Sequence, residues 1–256
     1  MLTTDLDTND MRIGILGDIH SNLEALEAVV ERVRGIGVDH WVQVGDIVGY
    51  GAQPRECIRL VRELNCTICL GNHDAAVVGL LSTEYFNPYA CQAVEWTRSR
   101  LHTEELDFLR QLPLVVVREH YTVVHGTLHM PDEFGYVMSV VEAKDSLRKQ
   151  VTPVCFVGHS HVPGIYMQET ADPESIQVVF SPEVTAQTAH CAKVLMNVGS
   201  VGQPRDEDPR AAYAIYDTDT REASIQRVTY DVASAQRKII NADLPEVLAN
   251  RLALGV

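Results

Sequence analysis

Two residues with metal-binding chemistry follow the first predicted strand of the chain. Residues 13–16 form a short apolar run that ends at Gly17, and Asp18 and His20 come directly after it. Residues two apart on an extended backbone point the same way, so this carboxylate and this imidazole could reach one point in space. The pair suits a divalent transition metal ion. Taken alone, it fits equally well an Asp that caps the next helix and a His above a strand.

The same types of side chain recur where later strands are predicted to end. Apolar runs are found at residues 40–44, 66–70, 121–124 and 154–157. The polar residues that follow these runs are Asp46, Asn72, His73, Asp74, His125, His159 and His161. In open α/β sheets, ligands bind beyond the carboxyl ends of the strands. The recurrence is hard to explain by helix capping, and it favours one metal site over isolated structural roles.

The first half of the chain must position these residues on alternating strands and helices. Ser21 and Glu24 have the spacing of a capping box, which predicts a helix from there to Gly35, and Pro54 begins another helix that reaches residue 64. Residues 75–112 are predicted to be largely helical, and residues 139–149 form a further helix. The predicted order of elements up to residue 70 is therefore βαβαβ.

The second half of the chain has the pattern of short strands. Runs at 165–169, 176–181, 194–198, 211–216 and 224–229 predict a second, largely antiparallel sheet. The polar stretch 182–191 is predicted to be a mobile loop, and helices are predicted at 231–240 and 245–252. Two sheets with helices outside both predict an α/β fold, a four-layer α/β/β/α sandwich of two mixed sheets. It forms one domain over residues 11–256, after a flexible leader at residues 1–10.

Composition argues against several kinds of partner. The 256 residues carry a formal net charge of −14 without a cluster of Lys and Arg, so contact with long nucleic acid is not expected. No apolar run approaches the ~20 residues of a transmembrane helix. Residues 1–10 lack the parts of a signal peptide, so a cytoplasmic protein that does not bind a membrane is expected. The six cysteines are expected to be reduced. The sequence carries no signal for the oligomeric state.

The order of the motifs resembles that of the calcineurin-like metallophosphoesterases. Asp-x-His, Gly-Asp, Gly-Asn-His-Asp, an isolated His-Gly and Gly-His-x-His succeed one another between residues 12 and 161. The stretches GDIVGYG at 45–51 and NVGSVGQPR at 197–205 are similar to a bacterial and archaeal branch of small phosphodiesterases and phosphatases, related to the diadenosine tetraphosphatases. The resemblance implies a metallophosphoesterase-like fold that hydrolyses a small phosphoester, with diadenosine tetraphosphate among the candidate substrates.

The resemblance also implies two divalent metal ions as cofactors. Dinuclear sites hold their ions about 3.5–4 Å apart, so one ligand must bridge them; a carboxylate can do so, whereas an imidazole normally cannot. Asp46 is the expected bridge. Asp18, His20 and His161 would complete the first site, and Asn72, His125 and His159 the second. This donor set tolerates Mn, Fe, Zn, Ni or Co, of which Mn is favoured. A hydroxide between the ions would attack phosphorus in line.

Two residues beside the ligands have catalytic roles by the same resemblance. His73 would contact the phosphoryl oxygens or the leaving group, as a hydrogen-bond donor or general acid. Asp74 would orient His73; the alternative for Asp74 is a carboxylate that caps the following helix.

Four further residues are candidates for contact with the substrate. Arg205 lies in a Gly-rich turn and is suited to bidentate phosphate binding, with a surface salt bridge as the alternative. Tyr50, Phe134 and Tyr136 could stack on a base or ring, or they could serve local packing. Phe134 and Tyr136 belong to residues 127–138, which leave directly from His125 and are expected to overhang the metal site.

The sequence thus favours a dinuclear metal hydrolase of small phosphoesters. A protein-binding scaffold that uses the same fold is the first alternative, and it is disfavoured because the full ligand set is present. A nuclease that acts on long nucleic acid is the second, and the acidic charge disfavours it.

Overall fold

The structure, a computed structural model, describes residues 11–256. The predicted leader at residues 1–10 lies outside the described residues. The strands are β1 (Arg12–Leu16), β2 (His40–Gln43), β3 (Thr67–Ile68), β4 (Val115–Val117), β5 (Tyr121–Val124), β6 (Val154–Val157), β7 (Gly164–Glu169), β8 (Ile176–Val179), β9 (Val184–Gln187), β10 (Cys191–Asn197), β11 (Ala211–Asp217) and β12 (Glu222–Val228).

The helices lie mostly in the first half of the chain, as predicted. They are α1 (Leu23–Ile36), α2 (Pro54–Glu63), α3 (Asn72–Val77), α4 (Pro88–Arg100), α5 (Thr103–Arg110), α6 (Val140–Lys149), α7 (Val232–Asn241) and α8 (Glu246–Asn250), with 3₁₀ turns at Pro131–Glu133 and Arg251–Ala253. The region 75–112 is not continuously helical, because residues 78–87 form a connection between α3 and α4. Gly79 takes a positive φ of 78° in that connection, and Asn87 caps α4.

Two six-stranded mixed sheets contain all of these strands. The first has the order β3-β2-β1-β11-β12-β9 and the second the order β4-β5-β6-β10-β7-β8. Strands β1, β2 and β3 are parallel to one another, and so are β5, β6 and β10. Each sheet therefore has a parallel part whose carboxyl ends share one edge, and antiparallel strands extend both sheets.

The prediction that the later strands form a sheet of their own is wrong. Strands β11, β12 and β9 join the first sheet, where β11 pairs with β1, and β7, β8 and β10 join the second. The residues of β11 are buried on both faces up to Tyr216, so this strand needs neighbours on both sides. An alternating or apolar pattern shows that a strand forms but does not identify its partner.

The predicted mobile loop at 182–191 is also wrong, since it contains β9. Val184 pairs with Ile225 and Gln187 with Glu222 of β12. Val184 and Ala186 pack against the core, whereas Thr185 and Gln187 are exposed. An edge strand with one polar face looks like a loop when only its composition is considered.

Helix α1 begins one residue later than the capping box predicts. Asn22 is its cap, and the side-chain oxygen of Asn22 accepts a hydrogen bond from the Ala25 amide at 3.2 Å. Ser21 has a φ of 56°, so its backbone belongs to the turn after β1. The Asn22 side-chain amide donates to the Gly202 carbonyl at 2.8 Å and ties this turn to the connection between β10 and β11.

Apolar side chains pack between the two sheets and between each sheet and the helices that cover it. Between the sheets, Ile15 and Val44 from the first pack with Phe156 and Met196 from the second. Helices α1 and α2 cover the outer face of the first sheet, and α6 covers the outer face of the second. The predicted α/β/β/α sandwich is thus confirmed. Within residues 11–256, no helix combines the length and apolar character that crossing a bilayer requires.

Candidate metal centre

The strand ends of both sheets bring the predicted ligands to one place. Asp18 and His20 follow β1, Asp46 follows β2, and Asn72 begins α3, the element after β3. From the second sheet, His125 follows β5, and His159 and His161 follow β6. Each of the seven side chains is buried, with at most 8% of its surface exposed.

The seven residues divide into two groups of donor atoms. Ligand atoms of Asp18, His20 and His161 lie within 4.8 Å of one another, as do those of Asp46, His125 and His159. Asn72 belongs to the second group, because its Oδ1 lies 3.0 Å from His125 Nε2. This is the division that the resemblance implies.

Asp46 lies between the two groups. Its Oδ2 is 3.5 Å from His20 Nε2 on one side and 3.4 Å from His125 Nε2 on the other. Its Oδ1 accepts a hydrogen bond of 2.8 Å from the His73 amide, which fixes the carboxylate relative to α3. The carboxylate therefore faces both sets of imidazoles.

Backbone carbonyls orient three of the imidazoles. The Nδ1 atoms of His20, His125 and His161 lie 3.1, 2.8 and 2.6 Å from the carbonyl oxygens of Val48, Val44 and Gln203. Because a carbonyl can only accept, each Nδ1 carries a hydrogen, and each ring turns its Nε2 inward. This arrangement is typical of histidines that bind metal ions.

The inward nitrogens make contacts that a cation would satisfy. His20 Nε2 and His161 Nε2 are 3.1 Å apart, although both neutral rings carry their hydrogen on Nδ1. Two lone pairs that face each other repel unless a proton or a metal ion lies between them. The donor set of neutral nitrogens, carboxylates and an amide oxygen therefore fits divalent transition metal ions.

Close backbone approach explains the glycines beside the ligands. A Cβ atom at Gly158 would lie 2.5 Å from Asp18 Oδ2, and one at Gly71 would lie 2.1 Å from both the amide nitrogen and Oδ1 of Asp46. Non-bonded heavy atoms need about 3.5 Å. These two positions therefore exclude any larger residue without movement of a carboxylate.

The backbone of the ligands is itself unusual. Five of the seven have a positive φ between 39° and 68°. They are Asp18, His20, Asp46, His159 and His161. Residues other than glycine rarely adopt this left-handed region, although Asp and His are enriched among those that do. The local conformation directs consecutive polar groups toward the centre.

Burial and mutual charge shift the pKa values of these residues strongly. Burial raises the pKa of Asp18 to about 7, although His125 opposes this shift. Burial also lowers the pKa values of His20, His159 and His161 well below the ordinary value, so these rings are neutral.

Asp46 and His125 form a charged pair within the centre. Burial opposes the charge on His125, but the Asp46 and Asp18 carboxylates and the Val44 carbonyl together outweigh burial and raise the pKa of His125 to about 9. Burial likewise opposes the charge on Asp46, and His125, His73 and His20 together hold that pKa well below its usual value. The carboxylates of the centre thus favour a positive charge next to them.

His73 lies beside the ligands, buried among aromatic rings and lining the cavity. Its ring centroid is 4.9 Å from that of His20, 4.4 Å from that of Tyr50 and 5.1 Å from that of Phe86. Its Nδ1 is buried without a hydrogen-bond partner among the described residues. Burial lowers the pKa of His73 to about 4.

Asp74 binds backbone amides, in agreement with the capping alternative. Its carboxylate accepts hydrogen bonds from the amides of Ile47 and Val48 at 3.3 and 3.1 Å, and from Gly71 at 3.3 Å. Across residues 11–256, the side chain of Asp74 makes no hydrogen bond to His73. It acts on the site by fixing the turn after Asp46 to the start of α3.

Arg205 and Tyr50 meet at one side of the centre. Arg205 Nη2 lies 3.0 Å from Gln203 Oε1 and 3.5 Å from the Tyr50 hydroxyl, and the guanidinium carbon is 5.8 Å from the Tyr50 ring centroid. No carboxylate of the described residues pairs with Arg205, which argues against the surface salt bridge. Its Nε is buried without a partner among these residues.

The two aromatic residues of the loop after β5 pack against ligands. The Tyr136 ring stacks on that of His159, with centroids 4.0 Å apart and an interplanar angle of 17°. Phe134 is buried, with its centroid 6.0 Å from that of His125. The loop at 127–138 therefore lies over the second group of ligands, as expected.

A cavity of ≈ 320 Å³ lies over the centre. Asp46, Asn72, His73, His159 and His161 form its floor, and Tyr50, Arg205, Phe134 and Tyr136 line its sides. The remaining lining was not predicted from the sequence. Asp132 and Glu133 lie beside Phe134, and the wall opposite consists of Leu81, Ser82, Tyr85, Phe86, Asn87 and Ala90. The residues of that wall carry no metal or acid–base signal, so only their spatial position identifies them.

The match to a family agrees with this geometry. The sequence model of the calcineurin-like phosphoesterase superfamily domain matches residues 11–221. The chain belongs to this superfamily. The predicted resemblance is therefore confirmed, and the protein is a phosphoesterase.

Individual relatives differ in how much of the chain they cover. An uncharacterized protein of Methanocaldococcus jannaschii is 39% identical over 95% of this chain and 98% of its own length. The crystal structure of a metallophosphoesterase from Sphaerobacter thermophilus is 41% identical, with a TM-score of 0.85 over 97% of this chain and 100% of that one. The symmetrical bis(5'-nucleosyl)-tetraphosphatase of Actinobacillus succinogenes is 32% identical, over only 43% of this chain and 42% of that protein.

Proposed function

We propose that the protein is a dinuclear-metal-dependent hydrolase of small phosphoesters. The position of the Asp46 carboxylate carries this proposal, since its Oδ2 lies about equally far from an imidazole of each ligand group, at 3.5 and 3.4 Å. Asp18, His20 and His161 would hold one ion, and Asn72, His125 and His159 the other, with Asp46 shared. Mn is favoured among the metals that such donors accept.

Two divalent ions in these positions would supply Lewis acidity and an activated water at neutral pH. The residues of the chain supply the rest. His73 faces the cavity as a neutral imidazole, and a ring N–H could donate to a phosphoryl oxygen or to the leaving group. Arg205, which pairs with no carboxylate of residues 11–256, is placed to bind a second phosphoryl oxygen. The ring and the hydroxyl of Tyr50 contact the guanidinium.

The non-phosphate part of the substrate would lie along the aromatic side of the cavity. Tyr136 and Phe134 are placed to contact it. Two relatives that match part of the chain are named bis(5'-nucleosyl)-tetraphosphatases, so sequence similarity alone suggests a dinucleoside polyphosphate, against which other phosphoesters must be compared. The net charge of −14 argues against long nucleic acid. The six free cysteines support a reducing, cytoplasmic location.

The test combines metal content with hydrolysis. Purified protein loaded with Mn²⁺ should contain two ions per chain and hydrolyse p-nitrophenyl phosphate or bis(p-nitrophenyl) phosphate, and a chelator should abolish turnover. Asp46→Asn should lose metal and at least about 10²-fold in activity, because a bridging carboxylate is removed. Asp219→Asn, an exposed carboxylate on the turn after β11, is the matched control.

Two outcomes would contradict the proposal. A protein that binds no metal and hydrolyses none of these esters would support the protein-binding scaffold. Efficient, salt-sensitive cleavage inside duplex DNA would support the nuclease.

A further inference from the structure

We propose that the outer half of the cavity selects phosphoesters that carry one phosphate and a flat, uncharged ring on the leaving group, and that it rejects dinucleoside polyphosphates. The inference rests on the proposed function, because it concerns the substrate of the same site. Three features of the cavity carry it: an aromatic wall, the position of the charges, and the volume.

The aromatic wall comes from two separate segments. Tyr85, in the connection between α3 and α4, is 92% exposed and lines the cavity, and Tyr136, in the loop after β5, is 48% exposed and lines it too. Phe86 extends this wall to the floor, where its ring meets that of His73. Exposed aromatic rings beside a phosphoryl-binding floor offer a stacking surface for a planar group.

The charges around the cavity are separated. Arg205 is the only Lys or Arg among the described residues that line the cavity, and its contacts with Tyr50 and Gln203 hold it on one side of the floor. The outer side carries Asp132 and Glu133, both exposed. A leaving group that extends outward would therefore meet two carboxylates and, among the residues of 11–256 that line this outer side of the cavity, no cation.

This separation acts differently on the two classes of substrate. The scissile phosphate would lie at the floor, where Arg205 and the ions that Asp46 and its neighbouring ligands would hold can balance its charge. A nucleoside polyphosphate leaving group would bring several further negative charges against Asp132 and Glu133. The repulsion between like charges would weaken the binding of this substrate without strengthening the binding of any other. An uncharged ring avoids this repulsion and gains the aromatic contact.

The volume of the cavity also favours a small substrate. The cavity of ≈ 320 Å³ is at the small end of the range of about 300–1,000 Å³ that ligand sites span. It accommodates a phosphoryl group and one ring, whereas a second nucleotide would have to lie outside it, beyond the acidic rim.

The experiment compares substrates on the Mn²⁺-loaded enzyme at equal free metal and physiological salt. We expect kcat/KM for phenyl phosphate or p-nitrophenyl phosphate to exceed that for diadenosine tetraphosphate at least tenfold. The double variant Asp132→Asn/Glu133→Gln should raise the ratio of diadenosine tetraphosphate to aryl ester turnover about 3- to 10-fold. Tyr85→Ala should lower the ratio of phenyl phosphate to methyl phosphate turnover by a similar factor.

A binding measurement complements the kinetics. Titration calorimetry should show that phenylphosphonate binds more tightly than methylphosphonate, and that Tyr85→Ala removes most of the difference. Tyr89→Ala is the matched control, since Tyr89 is a half-exposed tyrosine of α4 that does not line the cavity.

Two results would overturn the inference, and they are distinguishable. If diadenosine tetraphosphate is cleaved as efficiently as the aryl esters and the double variant leaves the ratio unchanged, the selectivity is wrong while the proposed function stands. If the metal-loaded enzyme cleaves none of the phosphoesters, the proposed function fails and the inference fails with it.

Discussion

Gly71 is the position where a single methyl group should displace the central carboxylate. A Cβ atom there would lie 2.1 Å from the amide nitrogen and from Oδ1 of Asp46, where about 3.5 Å is needed. The substitution Gly71→Ala must therefore move Asp46 or the start of α3 by about 1 Å. Gly71 has a φ of −93°, which any residue adopts, so the effect comes from the lack of space alone.

We expect Gly71→Ala to lower kcat/KM about 10²-fold, because a displacement of ~1 Å in a catalytic centre has that effect. Overpacking should also destabilise the fold by about 1–3 kcal/mol. The assays are metal content, hydrolysis of an aryl phosphoester and thermal unfolding. Gly35→Ala in α1 is the matched control: its Cβ would meet nothing within 4 Å, so activity should be unchanged and stability should rise by about 0.5–1 kcal/mol.

Full metal content together with wild-type turnover in Gly71→Ala would refute this reasoning. It would show that the turn after β2 can shift without cost, and that the contact between Gly71 and Asp46 does not fix the carboxylate.

Three further predictions concern neighbouring residues. His73→Ala should keep its metal content and lose about 10²–10⁴-fold in kcat, with His190→Ala as control; loss of metal would show a structural role. Although burial opposes it, Asp46 raises the pKa of His125 to about 9, so Mn²⁺ must displace a proton. The affinity of the protein for Mn²⁺ should therefore rise from pH 7 to about pH 9 and then level off, as calorimetry would show. Arg205→Lys should raise KM by a factor about ten times larger than the factor by which it lowers kcat. An unchanged KM would contradict a contact between Arg205 and the phosphate.

The sequence predicted the strand ends well because their signals are local. A glycine followed by Asp, Asn or His after an apolar run specifies both the end of a strand and a polar side chain. Since parallel strands end at the same edge of a sheet, Asp18, Asp46 and Asn72 were predicted together from this pattern. The structure brings these residues and the four histidines into one buried centre.

The features that the sequence did not predict depend on distant contacts. Strand β11 could have paired with its sequence neighbours alone, yet it also pairs with β1 more than 190 residues earlier. The wall that contains Tyr85 and Phe86 joins the site only through tertiary packing, and neither residue has a chemical signature. For Asp74, the two alternatives differ only in which hydrogen bonds form, and its partners in the structure are three backbone amides from two separate segments.

The left-handed backbone at five ligand positions has a thermodynamic consequence. Each such non-glycine residue costs on the order of 1 kcal/mol relative to a relaxed conformation, and the buried carboxylates add desolvation. Bound metal ions offset these costs, so the metal-free chain should unfold at a lower temperature. Substitutions that relax these turns would remove a metal ligand and relieve backbone strain at the same time. Some inactive variants of this enzyme should therefore unfold at a higher temperature than the active form.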